Sequence, residues 1–162
     1  MSATSPSAFA PPVPVILASH PLKRFWPRSS PERPWCFRRG TALHSPVETL
    51  VESFCADGRF APPLLVCSEL SVRAACEQTS TWRDKGVKVL AVPADTRNGT
   101  AAALAALELA SLNNRRGLLF IPATMVSGEG TSLPGLLADS IAALDDPNTA
   151  LIQTRAMRSG DT

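Results

Sequence analysis

The sequence contains few of the residues that usually mark a catalytic or metal-binding site. Its 162 residues include two histidines and four cysteines, and tyrosine does not occur. The cysteines form no CxxC pair and the histidines match no ligand spacing, so no zinc site is indicated. The Gly-x-Ser-x-Gly turn of many hydrolases and the GxGxxG dinucleotide fingerprint are both missing. We therefore assign no catalytic residue and no metal ligand from these patterns.

Long apolar runs and a strong charge of either sign are also missing. No stretch approaches the roughly 18 apolar residues of a membrane span, and the N-terminus lacks the pattern of a signal peptide. The net charge of +2 is too small to indicate a nucleic-acid partner. With 44% hydrophobic and 19% charged residues, the composition is that of a globular protein. We expect a cytoplasmic protein with reduced cysteines, of which Cys55 and Cys67 lie in apolar runs and are predicted to be buried.

Short apolar runs alternate with amphipathic segments along most of the chain. The pattern predicts helices that begin near Ser45, Ser68, Thr96 or Asn98, and Ser132. Five strands are predicted before, between and after these helices, at 13–18, 64–67, 87–92, 118–121 and 149–153. This alternation predicts an α/β fold, a Rossmann-like and mostly parallel sheet with helices on both faces. The predicted domain spans 13–153, after a disordered lead-in at 1–12 and before a flexible tail at 154–162.

A long loop is predicted between the first strand and the first helix, at 19–41. Its four prolines exclude regular structure there. Ligands of parallel α/β sheets bind at the carboxyl ends of the strands, which is the edge from which this loop leaves. The loop is either a phosphate-binding segment or a solvated one. It carries a basic cluster opposed only by Glu32, namely Lys23, Arg24, Arg28, Arg33, Arg38 and Arg39.

Five short elements, in chain order, resemble the N-terminal part of bacterial mannose-1-phosphate guanylyltransferases. R-F-W-P-R-S at 24–29 follows the first strand and is similar to that family's R-L-W-P-x-S. P-W-C-F at 34–37 and P-L-L-V-C-S-E at 63–69 are similar to its P-K-Q-F and P-x-V-V-C-N-E elements. Arg97-Asn98 before an alanine-rich helix, and the strand at 118–122, resemble its R-N-T-A-P-A element and the strand before P-S-D-H. The resemblance implies a truncated nucleotidyltransferase-like domain, with Arg24, Arg97 and Asn98 as nucleotide-binding residues.

The chain departs from the family at the positions that carry the chemistry. The glycines of the family's phosphate loop are replaced by Ser19, His20 and Leu22. Trp35 stands where the family has a lysine, and Thr124 where it has an aspartate that helps to hold Mg²⁺. A neutral threonine is a weak ligand for such a hard cation. The family's sugar-binding strands would lie beyond residue 162. We therefore expect the chain to need no cofactor. Mg²⁺ would be needed only if the chain were an active guanylyltransferase.

Three functions remain open from the sequence. The favoured one is a non-catalytic relative that binds GTP or a sugar nucleotide, or that serves as a regulator or partner in GDP-mannose or polysaccharide metabolism. The second is an active or accessory guanylyltransferase that transfers GMP from GTP to mannose 1-phosphate. The third is a structural interaction module without a ligand.

Two of the predicted nucleotide-binding residues have alternative roles. Asn98 can instead be the N-cap of its helix, and Arg24 can be a solvated cation. Missing strands would leave an exposed sheet edge, through which a homo- or hetero-oligomer can form.

Overall fold

The structure, a computed structural model, describes residues 10–19, 27–112, 116–125, 133–135 and 137. Four strands within that part form one all-parallel sheet in the order β3-β2-β1-β4. Short 3₁₀ helices lie at Trp35–Phe37, Glu69–Ser71 and Ser80–Lys85. The strands and helices are β1 (Val13–Ala18), α1 (Pro46–Cys55), β2 (Leu64–Ser68), α2 (Val72–Thr79), β3 (Lys88–Val92), α3 (Asn98–Ser111) and β4 (Leu118–Pro122).

The sheet carries a hydrophobic core on each face, because successive side chains of a strand point to opposite sides. Ile16 and Leu65 pack with α1 and α2 in one core, which also contains Leu133 and Leu137. On the opposite face, Val15 and its neighbours pack against α3. The predicted α/β fold, a parallel sheet with helices on both faces, is therefore confirmed.

Helix α1 begins where its sequence indicates. The Ser45 hydroxyl accepts from the Glu48 N–H, and the Glu48 carboxylate accepts from the Ser45 N–H, so both halves of the capping box form. Pro46 occupies the first helical position, where its missing N–H costs nothing. Gly86 closes the α2 region in a left-handed conformation with φ of 89°. These ends were predictable because each depends on a few neighbouring residues.

Some predicted details differ in the structure. The loop at 19–41 is not free of regular structure, because Pro34 precedes the 3₁₀ turn at Trp35–Phe37 and its carbonyl accepts from the Phe37 N–H. The second helix is α only to Thr79 and continues as a 3₁₀ turn to Lys85. Residues 133–135 and 137 are helical, at the start of the predicted fourth helix. The predicted strand at 149–153 and the tail at 154–162 lie outside the described residues.

Among the described residues, no helix is both long enough and apolar enough to cross a bilayer.

Candidate functional site

The strand order defines where a ligand of this sheet would bind. From β1 the chain passes to β2 on one side, whereas from β3 it passes to β4 on the other side of β1. The carboxyl ends of β1 and β4 therefore lie at the switch in strand order, which is the usual ligand position in open parallel sheets. Ser19 follows β1 there, and half-buried Thr124 follows β4. The Ala123 N–H donates to the Leu17 carbonyl at 2.9 Å, which keeps the two strand ends together.

A hydrogen bond joins the start of the long loop to the start of α3. The Ser19 side chain is fully buried, and its hydroxyl donates to the Thr96 carbonyl at 3.2 Å. The two residues are 77 positions apart in the chain. The bond brings the segment after β1 beside the N-terminus of α3. Arg24, the loop arginine predicted to bind a nucleotide, lies outside the described residues.

Among the described residues, no side chain caps the N-terminus of α3. Arg97 is the N-cap residue, with extended backbone angles and no capping hydrogen bond from its side chain. The first helical bond runs from the Ala101 N–H to the Arg97 carbonyl at 2.9 Å. The N–H groups of the next three residues, Asn98 to Thr100, precede it and are the donors that a helix leaves open. These donors and the positive end of the helix dipole together favour an anion.

The alternative prediction of an Asn98 or Thr96 N-cap is wrong. Asn98 is the first residue of the helix. The Thr96 hydroxyl donates to the Pro93 carbonyl at 2.6 Å and is thereby directed back into its own turn. That turn includes Asp95, a non-glycine residue with φ of 62°. Thr96 thus bonds within its own turn and Asn98 lies inside the helix, so neither of the predicted residues caps the helix end.

The space in front of this helix end is also open. Arg97, Asn98 and Gly99 are exposed. A Cβ built on Gly99 would meet nothing within 4 Å. Two of the three predicted nucleotide-binding residues, Arg97 and Asn98, therefore lie at the carboxyl edge of the sheet, one and two residues after Thr96, whose carbonyl bonds to Ser19. The arrangement can bind phosphate oxygens through one guanidinium and up to three backbone amides.

Trp35, which stands where the resembled family has a lysine, does not join this group. Its side chain is partly buried against the core that contains α1 and α2. Its backbone N–H donates to the Ser29 hydroxyl at 3.0 Å. Trp35 therefore packs the loop against the helices and supplies no cationic charge at the site.

The loop is fixed by a buried amide that the sequence analysis did not identify as important. The Gln78 amide nitrogen donates to the Phe37 carbonyl at 2.7 Å, and its amide oxygen accepts from the Ser45 hydroxyl at 2.7 Å. Gln78 thus links α2 to the 3₁₀ turn of the loop and to the cap of α1. The available signal was its position, since Gln78 lies three residues after Ala75 on the buried side of α2.

One arginine of the basic cluster is paired. The Arg39 guanidinium donates to both oxygens of Glu48, with an Nε–Oε2 distance of 2.9 Å. Burial raises the pKa of the Glu48 carboxyl, but hydrogen bonds from Arg39 and from the Ser45 N–H outweigh that effect, so the pKa lies below its usual value. The expectation that only Glu32 opposes the cluster is therefore wrong. Arg28, Arg33 and Arg38 are exposed.

The described side chains include no obvious nucleophile or metal cluster. Burial raises the pKa of both the Cys36 and the Cys67 thiol to about 12, so these thiols stay protonated. Cys67 is buried as predicted, whereas Cys55 is only half-buried. No group of three His, Cys, Asp or Glu side chains that could hold a metal occurs within the described ranges. At the candidate site, the Arg97 guanidinium and the leading N–H groups of α3 are groups that can bind an anion.

Comparisons with known proteins add no assignment to this geometry. No protein-family model, no curated protein and no solved structure matches the chain. The candidate site thus rests on the sheet topology, the open end of α3 and the residues that lie there.

Proposed function

We propose that this chain binds the phosphate groups of a nucleotide or sugar nucleotide at the carboxyl edge of its sheet, and that it does not catalyse nucleotidyl transfer. Its role would then be that of a sensor, regulator or partner in GDP-mannose or polysaccharide metabolism. The ligand class comes from the resemblance to guanylyltransferases. Support for the position of the site comes from the residues at the start of α3.

The single observation that carries the proposal is the uncapped α3 N-terminus beside the switch in strand order. Its three leading N–H groups have no side-chain cap. Arg97 adds a full positive charge at the same place, and Gly99 leaves room for close approach of an oxygen atom. Backbone amides, a helix dipole and an arginine are the usual elements of a phosphate site.

The same edge offers little for catalysis. Nucleotidyl transfer depends on metal and cationic stabilisation of the charge that develops on phosphate. Thr124 follows β4 with a neutral hydroxyl, where the resembled family places a metal-binding carboxylate. Trp35 likewise supplies no charge in place of the family's lysine. These residues support binding without turnover over an active guanylyltransferase.

Isothermal titration with GTP, GDP and GDP-mannose, with and without Mg²⁺, tests the proposal. We expect micromolar binding at low salt that Arg97→Ala weakens by about tenfold or more, because a hydrogen bond to a charged group contributes roughly 1.5–3 kcal/mol. Arg83→Ala is the matched control, since Arg83 is exposed and precedes β3 at the opposite edge. Equal losses in both variants would indicate only a general charge effect.

A second variant tests the helix end without changing any charge. Asn98→Pro removes one N–H donor from the first helical position, where proline is well tolerated. Arg97 already has the extended angles, φ −72° and ψ 154°, that a residue before proline requires. We expect an intact fold and several-fold weaker nucleotide binding. Unchanged binding in both Arg97→Ala and Asn98→Pro would refute this site, and GDP-mannose formed from GTP and mannose 1-phosphate would refute the non-catalytic role.

The predicted oligomer contact through a sheet edge stays a prediction. Among the described strands, β3 and β4 each pair on one side only. Exposed Lys88 at the start of β3 disfavours pairing of that edge with another chain. β4, whose sequence is LLFIP, has no charged residue and is the more suitable edge.

A further inference from the structure

Helix α3 differs from the other helices in what it presents to solvent. From Ala101 to Ala110, every residue except Glu108 is alanine or leucine. Ala101, Ala105 and Leu109 are buried against the sheet. The opposite side forms an outer stripe of Ala103, Leu104, Leu107 and Ala110, all of them exposed. Leu107 is 68% exposed and Leu104 is 37% exposed.

An outer stripe of this kind is unusual for a helix that faces only water. Surface helices carry charged and polar residues on their outer side, whereas a helix that is apolar all round is normally covered. In this molecule α2 follows the rule, since Arg73 and Glu77 form an exposed ion pair one turn apart. The described residues 133–135 and 137 do not cover α3, because Leu133 and Leu137 belong to the core on the other face of the sheet.

Two charged residues at the ends of α3, the N-cap Arg97 and Glu108 in the last turn, indicate what covers the outer stripe. Arg97 and Glu108 are eleven residues apart, which is close to three helical turns, so they lie on one line along the helix with Leu104 between them. Neither forms an ion pair with another described residue. A second α3 packed antiparallel would bring each Arg97 to the partner's Glu108, twice by symmetry. The small alanines allow the two helices to approach closely.

We propose that the outer stripe of α3 is the contact surface of a symmetric homodimer, in which two α3 helices pack antiparallel with the two-fold axis close to Ala103, midway between Arg97 and Glu108. A second copy of this chain would cover the apolar residues in the middle of the stripe. It would also place an opposite charge beside Arg97 at one end of α3 and beside Glu108 at the other end. The contact is isologous, as in most soluble dimers. One helix pair buries less than the roughly 800 Å² per partner of a stable complex, so the dimer forms in the micromolar range.

Sedimentation equilibrium of the full chain from about 5 to 500 μM tests the proposal. The expected result is a monomer–dimer equilibrium that Leu107→Glu weakens at least tenfold. Leu43→Glu is the matched control, since Leu43 is a loop leucine that is 82% exposed, and it leaves the equilibrium unchanged. All of these positions are exposed, and circular dichroism of each variant checks that the fold is kept.

A charge exchange tests the antiparallel arrangement. Glu108→Arg places four arginines at the contact and weakens the dimer at least fivefold, whereas the double variant Arg97→Glu/Glu108→Arg restores the original pairing and the original affinity. The proposal is overturned if the wild-type chain stays monomeric or if the double variant does not recover the wild-type affinity. It is also overturned if Leu107→Glu leaves the dimer intact, which is the result expected of a dimer that pairs through β4. The wild-type and Leu107→Glu measurements are independent of nucleotide binding, so this result and that of the proposed function can fail separately.

Discussion

At the scale of single residues, buried polar side chains hold the long loop in place. Glu48 accepts from the Ser45 N–H at 2.8 Å and pairs with Arg39. Gln78 links the loop carbonyl of Phe37 to Ser45. Each buried polar atom in this group has a partner, which avoids the cost of an unsatisfied group. The later part of the loop, from Phe37 to Ser45, is therefore fixed by hydrogen bonds as well as by packing.

The lowered pKa of Glu48 predicts an acid-sensitive contribution to stability. Because the folded-state pKa lies below the unfolded value, of about 4.3, the contribution is complete above that value and is lost as pH falls through the folded-state pKa. We expect Glu48→Gln to lower the free energy of unfolding by at least about 1 kcal/mol at pH 7, and by clearly less at pH 3. Urea unfolding at the two pH values measures this difference.

Glu52→Gln is the control for that experiment. Glu52 lies on the same helix, but its side chain is 57% exposed, so its replacement should change stability by less than about 0.5 kcal/mol at either pH. The pKa of Asp57 is also lowered, by its hydrogen bond with Arg59. Because Asp57 is present in both variants, its effect on the pH dependence of stability cancels when the two are compared. An equal cost of Glu48→Gln at pH 7 and pH 3 would contradict a charged role for Glu48.

At the scale of elements, the sequence predicted the start of α1 correctly but not the start of α3. The capping box of α1 was predictable because Ser45 and Glu48 are three residues apart and form both bonds. The N-cap of α3 was not, because Thr96 is used by its own turn. The Ser45–Gln78 bond spans 33 residues and depends on how two helices pack. The open end of α3, on which the candidate site depends, could therefore not be read from the sequence alone.

The turn between α2 and β3 yields a prediction about Gly86. Its φ of 89° is unfavourable for a residue with a side chain, and a Cβ would lie 3.1 Å from Cγ of Pro62. We expect Gly86→Ala to destabilise the protein by about 1–2 kcal/mol. Thermal unfolding should show a lower midpoint. Gly58→Ala is the matched control, since that position has open space and no positive φ, and it should be neutral or slightly stabilising.

At the scale of the whole molecule, β1 is shared by both hydrophobic cores. All six of its residues are buried, and its side chains alternate between the core of α1 and α2 and the core of α3. The order of strands puts β1 between two neighbours. The alternation of strands and helices does not by itself predict this central position, because it does not say on which side of β1 the chain returns when it passes from β3 to β4. The sequence therefore predicted the α/β class but left the strand order open.

Hydrogen exchange should reveal this central position. Opening β1 requires both cores to separate, so we expect the amides of Val15 to Leu17 to exchange only through global unfolding. Amides of β3, which pairs with β2 alone among the described strands, should exchange faster. Exchange followed by NMR or mass spectrometry measures both sets in one sample. Equal protection of the two strands would show that β3 has a neighbour on its outer side.

The position of β1 also has a consequence for synthesis on the ribosome. β1 is synthesised before the other described strands, yet one of its two neighbours is β4, which follows roughly a hundred residues later. Until β4 has been translated, a nascent chain that has already paired β1 with β2 presents a bare, wholly apolar strand edge. Such edges attract other nascent chains and chaperones. Ribosome stalling before Leu118 should therefore yield an aggregation-prone intermediate. A chain released after β4 has been translated can pair β1 on both sides.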